Sequence, residues 1–333
     1  MMLKSVQVIY NVASTMKNKM YDLGLMKTLK LPVPVISVGN LSVGGTGKTP
    51  CVYLIANEFL KDKNFSRIVI VSRSYRGSLR KPQRVDLSWQ DAPSYFGDEP
   101  CLLQKKLPNC SVWSGPSKFR TALAAFAAEK PNLIIVDDGF SHRKLARHFD
   151  LVLIDATAPL NYFHTLPVGR LREPMAALKR SSAVLVTKTN LADPRKLALV
   201  TAMIEKNQPI YFTADAKMNV PNLDPARDSL FVFCGLGSPD SLTSALEMLG
   251  FTVSHLRKFA DHHPYSTAEL NLILADFKLA QMQSPFLKLV TTAKDIIKIK
   301  EHPILHLLNE VDYAIEMEAS KRTEFFEKVR SHL

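Results

Sequence analysis

The sequence predicts an α/β protein: a doubly wound parallel sheet, a second, smaller α/β domain after it, and an N-terminal amphipathic helix ahead of both. Three observations predict this. Short β-branched or wholly apolar runs recur at residues 32–36, 67–73, 133–136, 151–154 and 183–186, separated by segments whose apolar residues fall at helical spacing. Such alternation argues a parallel sheet covered on both faces, with ligands at its carboxyl edge. The pattern breaks at residues 219–225, N-V-P-N-L-D-P, and restarts with the strand-like S-L-F-V-F-C of residues 229–234. Residues 3–30 carry an apolar helical stripe edged with lysines. The expected division is 1–30 for the helix, 31–215 for the core and 216–333 for the smaller domain. A chain of 333 residues suits two domains of this kind.

Composition narrows the function classes. A hydrophobic share of 46% and a charged share of 22% are those of a globular chain, which argues against disorder. The net charge of +12 implies an anionic partner: membrane, phosphorylated substrate or nucleic acid. No basic tract interleaved with aromatics singles out nucleic acid, so none is expected as a partner. Cys51, Cys101, Cys110 and Cys234 lack C-x-x-C spacing and read as reduced thiols of a cytosolic protein.

Taken in order, the leading helix places Leu3, Val6, Ile9, Tyr10, Ala13, Met16, Met20 and Leu23 near one face, with Lys4, Lys17, Lys19, Lys27 and Lys30 around it. Polar residues interrupt it, so it lacks the roughly 20 consecutive apolar residues of a spanning helix. It suits either a membrane interface, with its lysines among headgroups, or packing on its own domain.

The strand at 32–36 runs into S-V-G-N-L-S-V-G-G-T-G-K-T-P at 37–50 and then a helix from Val52. Strand, glycine loop and helix are the context a phosphate-binding loop requires. Gly44, Gly45 and Gly47 let the backbone around Thr46 turn its N–H groups toward a triphosphate, at the positive end of the new helix. Lys48 is expected on the β- and γ-phosphates and Thr49 on a magnesium ion. Ser42 stands where the usual pattern has glycine.

A second strand, 67–73, ends in the S-Y-R-G turn of 74–77. Asp98 and Glu99 follow Gly97 at the entrance of a helix expected from Cys101, either as caps or as a metal ligand and a proton acceptor. The apolar strand at 133–136 ends in Asp137 and Asp138, at the edge where magnesium sits beside a triphosphate. One is expected on the metal directly and the other through water. His142 and Arg143 follow within reach of phosphates, and Arg170 and Arg172 in G-R-L-R-E-P offer a bidentate phosphate grip. T-K-T-N at 187–190 is not the N-K-x-D base reader of a GTP-binding protein.

In the smaller domain, F-A-D-H-H-P-Y at 259–265 places His262 and His263 in a loop. Adjacent histidines rarely aim at one metal, so a proton-accepting or orienting role is expected. Lys294 and Asp295 end the last strand, with a helix cap as the plainer use.

Together N-L-S-V-G-G-T-G-K-T-P, G-D-E-P, D-D-G-F-x-H-R, G-R-L-R-E-P, F-C-G-L-G-x-P and F-x-D-H-H-x-Y, in this order over residues 35–295, resemble the tetraacyldisaccharide 4′-kinases of lipid A biosynthesis. The resemblance implies a P-loop NTPase-like core that transfers the γ-phosphate of ATP to the 4′-hydroxyl of a lipid-linked glucosamine disaccharide 1-phosphate. It further implies the cytoplasmic face of the inner membrane, with the leading helix on an anionic membrane surface; a monomer is expected. The nucleotide set then reads Gly44, Gly45, Thr46, Gly47, Lys48, Thr49, His142 and Arg172. The magnesium set reads Thr49, Glu99, Asp137 and Asp138. Asp98 and His262 match the family's base dyad, beside Lys48 as the third catalytic residue. Ser74 and Ser141 depart from the family's usual glycine and glutamine, and residues 159–166 lack its N-G pair. The competing class is a P-loop ATPase switch that hydrolyses ATP without a phosphorylated product, which does not need the Asp98 and His262 constellation.

Overall fold

The apolar runs become strands buried on both faces, where no polar alternation is needed. The computed structural model describes residues 2–333 except Arg76 and Gln90, so Arg76 of the expected S-Y-R-G turn lies outside the described residues. Met1–Asp86, Tyr95–Ala216 and Ile315–Leu333 form one unit, and Leu87–Ser94 with Lys217–Ala314 form another.

The first unit holds β1 (Val35–Asn40), β2 (Ile68–Arg73), β3 (Gln83–Arg84), β4 (Ser111–Gly115), β5 (Leu133–Asp137), β6 (Phe149–Asp155), β7 (Ala183–Thr187) and β8 (Tyr211–Asn219), which runs on past Ala216. Their order is β8-β7-β6-β1-β5-β2-β4-β3, parallel except for β3. With β5 on one flank of β1 and β6 on the other, the chain reverses direction across the sheet at β1. The crevice at its carboxyl end is the topological switch point where such sheets bind ligands.

Helices α1 (Met2–Asp22), α2 (Lys48–Phe59), α4 (Asp98–Lys106), α5 (Lys118–Glu129) and α6 (Pro194–Glu205) connect or flank these strands, and α3 (Ala92–Phe96) begins in the other unit and ends in this one. α2 buries Cys51, Val52, Ile55, Ala56 and Phe59, one face at helical spacing. α4 begins three residues ahead of the expected Cys101, so Asp98 and Glu99 occupy its first turn behind Gly97 at φ 98°. One core cluster gathers Val35, Val69, Val71, Ala122 and Ile134; another gathers Leu41, Phe140, Val152, Val184 and Ile204.

The second unit orders its strands β10-β9-β11-β12, all parallel: β9 (Ser229–Cys234), β10 (Thr252–Lys258), β11 (Leu287–Thr292) and β12 (Leu308–Glu316), which runs on past Ala314. It carries α7 (Pro239–Met248), α8 (Thr267–Gln283) and α9 (Ala293–Ile296). A capping box of Ser266 and Glu269 starts α8. The chain differs from the expected 216–333 division at its end, because α10 (Ala319–Arg330) belongs to the first unit. Its buried Phe325 and Phe326 meet Phe212 and Phe59 edge-on at 5.2 and 6.5 Å, and Arg322 bonds Glu58 at 2.8 Å. Aromatic burial there outweighs proximity in sequence.

Candidate functional site

At the carboxyl end of β1, Asn40 is buried and works in two directions. Its Nδ2 donates to Thr46 Oγ1 at 3.0 Å, and its Oδ1 accepts from Arg172 Nη2 at 2.9 Å. Thr187 Oγ1 donates to the Thr46 carbonyl at 3.1 Å, and Lys188 Nζ reaches the Gly45 carbonyl at 3.3 Å while pairing with Asp155 at 2.6 Å. The ends of β1 and β7 thus hold the phosphate loop open. Gly44 and Gly47 take φ of 124° and 86°, a region glycine enters without steric cost. Gly47 caps α2, whose first two residues are Lys48 and Thr49. Ser42 tolerates the place of a glycine because residues 41–43 are held like a strand: Val43 N–H donates to the Arg170 carbonyl at 2.8 Å, and Arg172 N–H to that of Leu41 at 2.7 Å.

The β5 end supplies the acids. Asp137 is buried; Ser72 Oγ donates to its Oδ2 at 2.9 Å, while its Oδ1 has no hydrogen-bond partner among the described residues. Burial first, and then the nearby Glu99 carboxylate, push Asp137 up to about 6. Asp138 turns away at φ 50°. Its carboxylate accepts both terminal nitrogens of Arg172, at 3.0 and 3.1 Å, with Lys118 Nζ at 3.7 Å and Lys48 Nζ at 3.9 Å. Burial raises Asp138, but Lys118, Lys48 and Arg172 outweigh it and hold the carboxyl down at about 2. Lys118 is buried and also makes a short bond to the Asp138 carbonyl. The turn after these acids needs Gly139, since a Cβ there would stand 2.4 Å from Ser37 Oγ.

His142 follows, its N–H donating to the Gly139 carbonyl at 2.9 Å. It is exposed, yet the protein crowded around its ring, and then Lys118, lower the imidazole to about 4. Arg143 is engaged elsewhere: it bonds the Asn18 carbonyl at 2.8 Å and Asp22 at 2.6 Å on α1. Arg170 lies over the Tyr162 ring, 4.1 Å from its centroid.

In the second unit, His262 sits at φ 63° with its Nε2 3.2 Å from Lys294 Nζ, which is also 3.1 Å from Asp261 Oδ1. The buried Asp295 accepts from Gly235 N–H at 3.1 Å, Tyr265 O–H at 2.9 Å and Lys298 Nζ at 2.9 Å. It thereby fixes the glycine turn and the D-H-H loop to each other. His263 pairs with Glu269 at 3.0 Å and stacks on Phe259, a structural use.

A family model described as Tetraacyldisaccharide-1-P 4′-kinase (LpxK) matches residues 1–333. The chain belongs to this family. Among relatives bearing the name tetraacyldisaccharide 4′-kinase, that of Bdellovibrio bacteriovorus is 36% identical over 308 residues, 90% of this chain and 89% of its own. That of Chlorobaculum parvum is 32% identical over 322 residues, 91% of this chain and 85% of its own. The solved "apo" form of LpxK from Aquifex aeolicus, in complex with ATP, is similar at a TM-score of 0.73 and 27% identity, covering 98% of this chain and 97% of that one.

Within this LpxK-family chain, the structure gathers Lys48, Asp137, Asp138 and Arg172 at one sheet edge, with Glu99 near enough to Asp137 to raise it. Lys118, Asn40 and Ser72 join them without having been singled out in the sequence. Lys118 did leave a signal: a lysine in a first helical turn opposes the macrodipole, so something else must hold it.

Proposed function

We infer that this chain is an ATP-dependent kinase that transfers the γ-phosphate to the 4′-hydroxyl of tetraacyldisaccharide 1-phosphate, forming lipid IVA. The observation that carries this reading is the meeting of the glycine loop, Lys48, Arg172 and two strand-end acids at the switch point of a chain belonging throughout to the 4′-kinase family. The loop N–H groups and the start of α2 receive the triphosphate, and Lys48 neutralises its β- and γ-oxygens. Arg172, bidentate on Asp138 here, has the planar fork that also grips phosphate.

Asp137 Oδ1, buried without a hydrogen-bond partner among the described residues and close enough to the Glu99 carboxylate to feel its charge, fits a hard cation. Thr49, Glu99, Asp137 and Asp138 would hold magnesium, which when bound supplies positive charge against the phosphates. His142, in the turn after these acids, serves the nucleotide set. Asp98 takes the proton of the attacking hydroxyl, and His262, with Lys294 at its Nε2, orients or polarises the pair; this assignment rests on the family resemblance.

A peripheral position on the anionic cytoplasmic face of the inner membrane completes the reading. Among the described residues no helix is long and apolar enough to cross a membrane. The exposed apolar stripe of α1, with Lys4, Lys17 and Lys19, supports an interfacial one.

The deciding experiment follows γ-labelled ATP with purified protein in detergent micelles, with and without tetraacyldisaccharide 1-phosphate. Label in the lipid is expected, and its loss in Asp98→Ala. Label released only as free phosphate, equally with or without lipid, would overturn the kinase reading in favour of an ATPase switch.

A further inference from the structure

Surface helices ordinarily bury their apolar stripe and leave polar residues to water. α1 does the reverse. Leu3, Ile9, Val12 and Met16 are 61%, 69%, 61% and 64% exposed, whereas the docked residues recur as Gln7, Tyr10, Asn11, Ser14, Asn18 and Tyr21, a stripe in which every side chain carries a polar group. Tyr10, expected on the apolar face, belongs to the docked one.

That stripe is bonded to the segment carrying Arg172. Gln7 Nε2 donates to Thr165 Oγ1 at 3.1 Å, Tyr10 O–H to the Arg172 carbonyl at 2.9 Å, and Asn18 Nδ2 to Glu173 Oε2 at 2.6 Å. Glu173 is buried, and its Oε1 accepts from Ser141 Oγ at 2.6 Å and Arg180 Nη2 at 2.9 Å. Ser141 lies three residues beyond Asp138, and the Arg172 peptide is bonded to Leu41 at the mouth of the phosphate loop. Hydrogen bonds linked by short stretches of chain therefore lead from the docked side of α1 through residues 172–173 to Asp138 and the phosphate loop, while the other side of α1 offers an apolar surface with lysines.

We propose that Tyr10, Asn18 and Glu173 are positioning residues for Arg172, through which engagement of α1 with a lipid surface tightens the nucleotide site. The proposal rests on the interfacial reading of α1. Holding the helix fixes the Arg172 and Glu173 peptides, so the guanidinium is placed before the nucleotide arrives and less freedom is lost on binding. Linkage makes the effect reciprocal: whatever factor lipid adds to nucleotide affinity, nucleotide adds to lipid affinity.

The test uses the full-length protein and vesicles of phosphatidylethanolamine and phosphatidylglycerol. Binding of a fluorescent ATP analogue is titrated with and without vesicles in the wild type, Tyr10→Phe and Asn18→Ala, and sedimentation reports vesicle binding separately. Vesicles are expected to tighten wild-type nucleotide binding about fivefold or more, the lower end of ordinary coupling. Nucleotide should tighten vesicle binding by the same factor. Both variants keep the apolar stripe and should still sediment, with their nucleotide shift reduced to less than about twofold. Tyr10→Phe removes a single hydroxyl, so a folding defect does not mimic this result. A wild type that sediments without any shift, or variants that keep the full shift, would overturn the coupling. A wild type that does not sediment overturns the interfacial reading and the coupling together, while leaving the kinase reading to the labelling experiment.

Discussion

Three cations converge on the Asp138 carboxylate, and the least expected is Lys118, at the start of α5 where the macrodipole disfavours it. Burial lowers its ammonium while Asp138 and Asp137 draw it back up, so the lysine and the acids stabilise one another in a place where none of them is stable alone. Lys118→Met takes a buried cation away from the buried Asp137 and leaves the half-buried Asp138 to Arg172 and Lys48, and should destabilise the metal-free protein by about 1–3 kcal/mol in urea unfolding, with Lys118→Arg nearer the wild type. Little or no loss would show that the acids are solvated without it. Glu173 gives a pH-dependent counterpart. Burial raises its carboxyl, but Arg180, Ser141 and Asn18 outweigh burial and hold it below the usual range. Its stabilisation is complete above the unfolded glutamate value of about 4.3 and is lost as pH falls through the folded value. Glu173→Gln should therefore cost on the order of 3 kcal/mol at pH 7, and this difference should shrink below about pH 4, followed by thermal unfolding across pH. The partners of these two residues were not legible in the sequence. Asp138 lies 20 positions from Lys118, and Ser141 lies 32 from Glu173, so strand order rather than spacing brings them together.

The strands were legible where burial on both faces made them continuously apolar, as in β5, whereas β1 was legible only at Val35 and Ile36: it runs on through residues 37–40, read as loop, because these small or polar residues are buried there too; the glycines that follow were legible because they answer a local demand. What eluded the sequence at this scale depends on packing between elements. The start of α4 at Asp98 needs the Gly97 turn, and the docked stripe of α1 needs its partner segment. The β1 and β5 ends show how tight such packing is. A Cβ on Gly139 would stand 2.4 Å from Ser37 Oγ, 3.0 Å from Val136 Cγ1 and 3.1 Å from Ser37 Cβ, so turning the Ser37 hydroxyl aside still leaves two tight contacts. Gly139→Ala should cost about 1–3 kcal/mol by overpacking. Because Asp137 and Asp138 directly precede this turn, nucleotide affinity should fall with stability. Unchanged melting and binding would mean that the turn relaxes freely.

Across the whole chain, the residues assigned to chemistry divide between two units: the phosphate loop and Asp98 in the first, His262 in the second. The resemblance makes Asp98 and His262 one dyad, and a thermodynamic cycle tests that with no assumption about how the units are arranged. The substitutions must spare the backbone. His262 sits at φ 63°, a left-handed conformation that asparagine tolerates better than most residues, so His262→Asn removes the imidazole at little conformational cost. Asp98→Asn keeps the shape of the first turn of α4 while removing the carboxylate. Each single variant is expected to lose on the order of 10²–10⁴ in lipid phosphorylation, the usual worth of a positioned base, with ATP affinity changed by less than about threefold. Groups that act as a unit are strongly non-additive: once one is lost, the other has nothing left to assist. The double variant should therefore fall within about tenfold of the worse single. If the two losses multiply instead, Asp98 and His262 serve separate steps. If ATP affinity falls in parallel with turnover, Asp98 belongs to the nucleotide and metal set, and the proton acceptor must be sought elsewhere.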